Sequence, residues 1–150
     1  MSRALAREDA FKLVFEMEIT KISANDAIKY LYDTVNKTNE MWAQEFINAS
    51  NRSYIENVVR GIETERDSLI PEIASTLKEW TVDRISKVSL SILLLAVYEI
   101  RFIEDIPYKV SANEAVKLAK KYAGKEEAAF INGVLGTIIK SLESETAEEN

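Results

Sequence analysis

Apolar side chains recur at helical spacing along most of the chain, with charged residues between them. Between Val88 and Phe102 the apolar residues cover nearly the whole helix circumference, which is typical of a helix buried on most sides. No segment of useful length alternates between apolar and polar residues, as a strand would. The spacing predicts helices at about residues 3–19, 23–36, 41–61, 63–77, 88–102, 111–123 and 126–142. We therefore predict an all-α protein, a compact bundle of about seven helices with residues 88–102 at its centre.

The chain length, 150 residues, suits a single domain with one buried core. We predict that residues 1–150 form this domain in two helical halves, about 1–78 and 79–142, which meet near residue 80. Pro71 is expected to kink the fourth helix or to mark a restart, because proline lacks the N–H that a helix interior uses. The glutamate-rich residues 143–150 are expected to form a frayed acidic tail.

A helix boundary is predicted after Pro107, whose fixed φ suits the approach to a helix. Ser111 and Glu114 have the spacing of a capping box, in which the hydroxyl accepts a hydrogen bond from the Glu114 N–H and the carboxylate accepts one from the Ser111 N–H. Gly124 is expected to end the same helix from the C′ position, where glycine is favoured.

Composition excludes several classes of active site. The chain has no Cys and no His, so it has no disulfide, no Cys or His metal site, no cysteine nucleophile and no histidine base. Carboxylates such as Asp83 and Glu65 have no visible catalytic partner. We therefore expect no enzyme activity, no catalytic residue, no cofactor and no metal.

The location of the protein is predicted from its apolar segments. The first eight residues lack the apolar core of a signal peptide. The longest apolar-rich uncharged run, residues 88–98, is shorter than the roughly 20 residues that span a bilayer. We expect a cytoplasmic protein without a membrane segment.

Charge gives two open interpretations. The net charge of −6 argues against a generic nucleic-acid binder, which is usually basic. Five lysines nevertheless lie close together, with Glu114 as the one acid among them: Lys109, Lys117, Lys120, Lys121 and Lys125. They either form a local basic face for RNA or simply solvate a helix end and complement its dipole, and composition alone favours the second interpretation.

Two motifs resemble a known family. The sequence Pro107-Tyr-Lys-Val-Ser-Ala-Asn-Glu-Ala-Val-Lys-Leu-Ala-Lys120 and the later Phe130-Ile-Asn-Gly-Val-Leu135 resemble the C-terminal half of the NusB family of bacterial transcription antitermination factors. Residues 90–100 resemble the central helix of that family, and residues 3–8 resemble a thinned version of its arginine-rich start. The resemblance covers about residues 3–142.

The resemblance implies a function in transcription antitermination and elongation. A protein of this family is expected to bind the boxA element of nascent RNA, notably from rRNA operons, as a heterodimer with NusE, which also serves as a ribosomal protein of the small subunit. The heterodimer is expected to join RNA polymerase elongation complexes with other Nus factors.

The resemblance also implies which residues bind RNA. Arg3 and Arg7, one helical turn apart, are expected to contact phosphates, with Lys12 adding charge to the same solvent-facing patch. The alternative, which the resemblance disfavours, is that both arginines only pair with Glu8 and neighbouring acids. Tyr54 begins a segment similar to the family's, and two interpretations are equally favoured: an exposed ring that stacks an unpaired base, or an amphipathic core tyrosine. Phe130 lies off the predicted core stripe and is expected to be exposed and to stack RNA. The predicted RNA-binding set is Arg3, Arg7, Lys12, Tyr54, Lys121, Lys125 and Phe130.

A contact with a protein partner is predicted in the region from Trp80 to Glu99, with Trp80, Arg84 and Glu99 as the residues involved.

Ala4, Leu5 and Ala129 stand where the family often has basic residues, so the RNA face is less basic than usual. Three alternatives follow: a protein-only helical interaction scaffold, a homodimer that hides the arginine face, and an RNA-targeting module like the NusB-like domain of RNA cytosine methyltransferases. The sequence has no βαβ cofactor-binding pattern for a methyltransferase domain.

Overall fold

The structure, a computed structural model, describes residues 2–37, 48–78 and 81–149. Within those ranges the chain forms six α-helices and one short 3₁₀-helix, and it forms no strand. The elements are α1 (Arg3–Thr20), α2 (Ala24–Lys37), α3 (Ala49–Ala74), a 3₁₀-helix (Val82–Arg84), α4 (Lys87–Phe102), α5 (Tyr108–Tyr122) and α6 (Lys125–Glu149). The all-α prediction is confirmed, and the start of the helix predicted at 41–61 lies outside the described residues.

The chain divides into two compact units, Met1–Thr64 and Glu65–Asn150. The division falls inside α3, so this helix supplies its first part to one unit and its last turns to the other. The sequence places the division near residue 80 instead, in the connection where residues 79 and 80 lie outside the described ranges.

Polar side chains begin the helices of the first unit. The Ser2 hydroxyl accepts a hydrogen bond from the Leu5 N–H at 3.2 Å, and the Ser23 hydroxyl accepts one from the Asp26 N–H at 3.1 Å. The Asn48 carboxamide oxygen accepts the Asn51 N–H at 2.9 Å. Each contact satisfies an N–H that the first turn of a helix would otherwise leave without a partner. The core residues of this unit are Ala6, Ala10, Phe11, Leu13, Val14, Ala24, Ala27, Ile28, Tyr54, Ile55, Val58, Val59 and Ile62.

Helix α4 is the buried element of the second unit. Every residue from Ser89 to Ile100 is buried, as the all-round apolar pattern predicts. The Ser86 hydroxyl caps α4 by accepting the Ser89 N–H at 3.1 Å. Helices α4, α5 and α6 pack against one another.

Helix α3 is continuous where two separate helices are predicted. Pro71 lies inside it, is exposed, and stands near the C-terminal end, where the missing N–H removes a single helical hydrogen bond. Glu63, where the helix predicted at 63–77 is expected to begin, lies within α3. Its carboxylate accepts the Ala24 N–H at 2.7 Å and so caps α2.

The predicted capping box at Ser111 is wrong. Pro107 itself takes the N-cap position, with φ −58° and ψ 143°, so α5 begins at Tyr108 and Ser111 lies within the helix. The Ser111 hydroxyl donates to the Glu99 carboxylate at 3.0 Å, and Glu114 pairs with Lys117 at 3.3 Å. The prediction for the other end of α5 holds: Gly124 has a φ of 103°, and its N–H donates to the Ala119 carbonyl at 2.8 Å.

No helix in the described ranges combines the length and apolar character that crossing a lipid bilayer requires.

Candidate nucleic-acid interface

Two arginines of α1 lie over one tyrosine of α3. The Arg3 Cζ is 4.6 Å and the Arg7 Cζ is 5.7 Å from the centroid of the Tyr54 ring. A spacing of four residues places both arginines on one helix face, so a single ring serves both. Guanidinium groups at this distance are attracted to the negative face of the ring. The structure therefore brings together three of the predicted RNA-binding residues; with Asn51 they form the arginine–tyrosine cluster.

Arg3 is oriented by hydrogen bonds as well as by the ring. Its Nε donates to the Asn51 Oδ1 at 2.9 Å, and its Nη2 donates to the Ser50 hydroxyl at 3.0 Å. Arg3 is exposed, whereas Asn51 is only 4% exposed, so a buried amide holds a surface cation. A guanidinium has five N–H donors. Asn51 and Ser50 engage part of these donors, and together with the Tyr54 ring they restrict the direction of the others.

The other two members of the cluster are buried, which corrects the solvent-facing expectation for Arg7 and agrees, for Tyr54, with the second of its two predicted interpretations, an amphipathic core tyrosine. Arg7 is 5% exposed and Tyr54 is 6% exposed. The Tyr54 ring lies beneath the two guanidinium groups. Because water is excluded from the buried ring, the cation–π attraction is stronger than at an exposed site. An exposed ring for base stacking is therefore not what the structure shows. Tyr54 supports Arg3 from below, and Arg7 contributes its charge from within the cluster and not from a solvent-facing patch.

Lys12, the fourth predicted RNA-binding residue of the first unit, is exposed on α1. Burial raises the pKa of the nearby Asp9 carboxyl, the positive charge of Lys12 partly offsets that effect, and Glu8 adds to it. Lys12 therefore lies within electrostatic reach of a carboxylate, which reduces the charge that it can offer to a phosphate.

A second arginine–tyrosine contact lies in the same unit and is not indicated by the sequence pattern. The Arg52 Cζ is 4.5 Å from the centroid of the Tyr32 ring. Burial, and then the charge of Glu56, raise the pKa of Tyr32 to about 12. The Tyr32 hydroxyl oxygen is buried, and no described residue hydrogen-bonds to it in suitable geometry. The sequence signal that points to this region is the polar run at residues 48–53, which contains Arg52 and begins with Asn48, a residue type favoured at helix caps.

The remaining predicted RNA-binding residues lie in the second unit. Lys121 and Lys125 are exposed, at the end of α5 and the start of α6, and the Lys121 Nζ is 5.4 Å from the centroid of the Tyr122 ring. Phe130, expected to be exposed, is half-buried on α6. All five lysines of the basic run are exposed: Lys109, Lys117, Lys120, Lys121 and Lys125.

The three residues predicted for a protein partner have different positions. Arg84 is exposed in the 3₁₀-helix. Glu99 is fully buried and accepts the Ser111 hydroxyl, so it is unavailable to a partner surface, and that prediction is corrected. A buried carboxylate requires hydrogen-bond donors from its own chain, and the Ser111 hydroxyl supplies one to Glu99. Trp80 lies outside the described residues.

Comparison with known proteins agrees with the fold. The transcription antitermination protein NusB of Clostridium acetobutylicum is 43% identical, over 95% of this chain and 98% of that protein. The structure of T. maritima NusB superposes with a TM-score of 0.79 at 28% identity, covering 93% of this chain and 92% of that one. A chain from the crystal structure of antitermination factors NusB and NusE in complex with dsRNA gives a TM-score of 0.77 at 24% identity over 94% of this chain and 99% of its own, which supports the fold.

The structural similarities define the class of protein, an all-helical protein with the fold of bacterial antitermination factors. The model of the NusB family matches residues 4–140. The chain therefore belongs to the NusB family of transcription antitermination proteins.

Proposed function

We propose that this chain acts in transcription antitermination by binding the boxA element of nascent RNA, notably from rRNA operons, as a heterodimer with NusE. The heterodimer joins RNA polymerase elongation complexes together with other Nus factors. The action is binding without chemistry, in the cytoplasm. The observation that carries the proposal is the arginine–tyrosine cluster, because it holds an exposed guanidinium in a fixed direction.

Arg3 supplies the phosphate contact in this proposal. A planar guanidinium binds two phosphate oxygens at once, which an ammonium group cannot do in the same way. Asn51, Ser50 and the Tyr54 ring hold Arg3 before RNA arrives, so less side-chain entropy is lost on binding. Phosphate contacts fix the position of the RNA and carry no information on its sequence.

Preference for boxA then requires contacts with bases. Sequence-specific recognition of RNA favours single strands, whose bases stack on aromatic side chains. In the second unit, Lys121 and Lys125 are proposed to hold the RNA backbone, and the half-buried Phe130 offers part of its ring for stacking. NusE enlarges the interface. The solved complex of NusB and NusE named above holds double-stranded RNA, so a duplex belongs among the test ligands.

The surface for NusE is proposed to include Arg84 and Trp80. Arg84 is exposed on a three-residue helix, Val82–Arg84, and arginine is a common anchor in protein interfaces. Glu99 is no longer part of this surface, because it is fully buried.

The test is a titration of boxA RNA with this protein, alone and with its NusE, at low and moderate salt. Single-stranded boxA, a scrambled strand of the same length and a boxA duplex are compared. We expect affinity that rises when NusE is added and that is highest for single-stranded boxA. Absence of binding to every RNA, with NusE present, would contradict the proposal and favour a protein-only scaffold; analytical ultracentrifugation would then detect a homodimer that hides the arginines.

The contribution of Arg3 is tested by Arg3→Gln. We expect affinity for RNA to fall about tenfold, because a charge-assisted hydrogen bond contributes about 1.5–3 kcal/mol and part of it is retained by the amide. The loss should be similar for boxA and for the scrambled strand. The slope of log affinity against log salt should decrease by about 0.7, as expected for one lost phosphate contact on a single strand.

Lys29→Gln is the control for Arg3→Gln, because Lys29 is exposed on α2 in the same unit and its loss changes the net charge equally. An equal loss of affinity in the two variants would mean that Arg3 acts only through net charge. A loss confined to boxA would mean that Arg3 contacts a base and not a phosphate.

A further inference from the structure

Arg52 and Tyr32 form a second guanidinium–ring contact in the first unit, on the side of α3 that faces α2. We propose that Arg52 is a further binding site for a phosphate of the RNA backbone, held ready by the Tyr32 ring. This inference rests on the proposed function, since it assigns a second phosphate to the same RNA.

Arg52 differs from the neighbouring arginines in what its guanidinium binds. Arg3 donates to Ser50 and Asn51. Arg60 donates to the Asn25 Oδ1 at 3.0 Å and lies 3.9 Å from the Glu56 carboxylate. Among the described residues, the guanidinium of Arg52 contacts the Tyr32 ring and forms no hydrogen bond or ion pair. An oriented, exposed fork of N–H donors without an acceptor fits an oxyanion.

The ring beneath Arg52 carries no charge at neutral pH. The pKa of Tyr32 is raised to about 12, so its hydroxyl stays protonated and adds no negative charge to the site. Glu56 is the acid whose charge acts on Tyr32, and it lies within ion-pair distance of Arg60. The charge of Arg52 is therefore left for an incoming anion, while a flat ring restricts the directions in which its donors point.

The position of Arg52 favours an RNA backbone over a single free phosphate. Ser50 and Asn51, which hold Arg3, directly precede Arg52 in the first turn of α3. The first turn of α3 thus holds the guanidinium of Arg3 and itself carries Arg52, at the end of the helix where the backbone dipole is positive. A polyanion with regularly spaced phosphates engages both cations together, whereas one phosphate ion gains from only one of them.

The test compares Arg52→Gln with Arg60→Gln in titrations of boxA RNA with NusE at several salt concentrations. Both arginines are exposed on α3, and both changes remove one charge, but Arg60 is already engaged by Asn25 and Glu56. We expect Arg52→Gln to lower affinity about five- to tenfold and to reduce the salt slope by about 0.7, equally for boxA and the scrambled strand. Arg60→Gln should change affinity less than twofold.

The ring is tested separately with Tyr32→Leu and Tyr32→Phe. Tyr32→Phe keeps the ring and should bind RNA like the unaltered protein, whereas Tyr32→Leu should lose about as much affinity as Arg52→Gln. Inorganic phosphate is added as a competitor; displacement of RNA at low millimolar phosphate would assign the site to a free anion and overturn the proposal for the RNA backbone. Thermal melting of each variant checks that the helices remain folded.

The outcomes separate this inference from the proposed function. If the unaltered protein binds no RNA with NusE present, both fail. If it binds RNA and Arg52→Gln behaves like Arg60→Gln, the assignment of Arg52 is wrong and the proposed function stands.

Discussion

Replacing Leu94 by alanine is expected to lower the free energy of unfolding by about 2–5 kcal/mol. Leu94 is 0% exposed, in the middle of α4, and the residues on both sides of it are also buried. The substitution removes buried apolar atoms and leaves a cavity, because a closely packed interior relaxes only in part. The effect is measured as the shift in the urea unfolding midpoint at constant slope.

Leu5→Ala is the control for Leu94→Ala. Leu5 is 40% exposed on α1, so the same change of side chain should cost about 0.5 kcal/mol or less. Similar costs for the two variants would contradict the central position of α4. At a temperature where both variants are folded, their affinity for RNA should equal that of the unaltered protein.

The burial of α4 could be predicted from sequence because it depends on one property, the apolar content of every face. The predicted range, 88–102, differs from the observed Lys87–Phe102 by one residue. The helix predicted at 23–36 also begins within one residue of the observed α2, Ala24–Lys37, which the Ser23 hydroxyl caps. Such features are local: a run of apolar residues or a capping side chain within one turn decides them.

The role of Ser111 was not predictable in the same way. Its spacing from Glu114 fits a capping box, but a spacing of three also occurs within the first turns of a helix that starts earlier. Two facts decide between these arrangements: Pro107 takes the N-cap, and the Glu99 carboxylate, buried on another helix, accepts the Ser111 hydroxyl. The second fact is a tertiary contact that no local pattern contains. The same contact removes Glu99 from the predicted partner surface.

The candidate site shows the same division between local and tertiary information. The spacing of Arg3 and Arg7 predicts that they share a helix face, and they do. The hydrogen-bond partners of Arg3 are 47 and 48 residues away in the chain, at Ser50 and Asn51. Charge pattern alone places an arginine in solvent, whereas the Tyr54 ring against the guanidinium of Arg7 allows this residue to be buried.

Tyr54→Ala is expected to lower both stability and affinity for RNA. The ring is buried, so its removal should cost about 3–5 kcal/mol of the free energy of unfolding. Arg3 and Arg7 would lose the surface on which they lie, so RNA affinity should fall, with a smaller salt slope, because a freely moving Arg3 holds its phosphate less often. Tyr54→Phe keeps the ring and should retain affinity within about twofold, since cation–π attraction needs only the ring.

A double-mutant cycle decides how Tyr54 acts. If the ring works through Arg3, the affinity losses of Tyr54→Ala and Arg3→Gln should overlap. The double variant should then lose little more affinity than the single variant with the larger loss. If Tyr54 stacked a base directly, the two losses would add, and Tyr54→Ala would leave the salt slope unchanged because stacking releases no counterion. The burial of Tyr54 under two guanidinium groups favours the overlapping result. Additive losses would show that the cluster opens when RNA binds and that the tyrosine is then exposed.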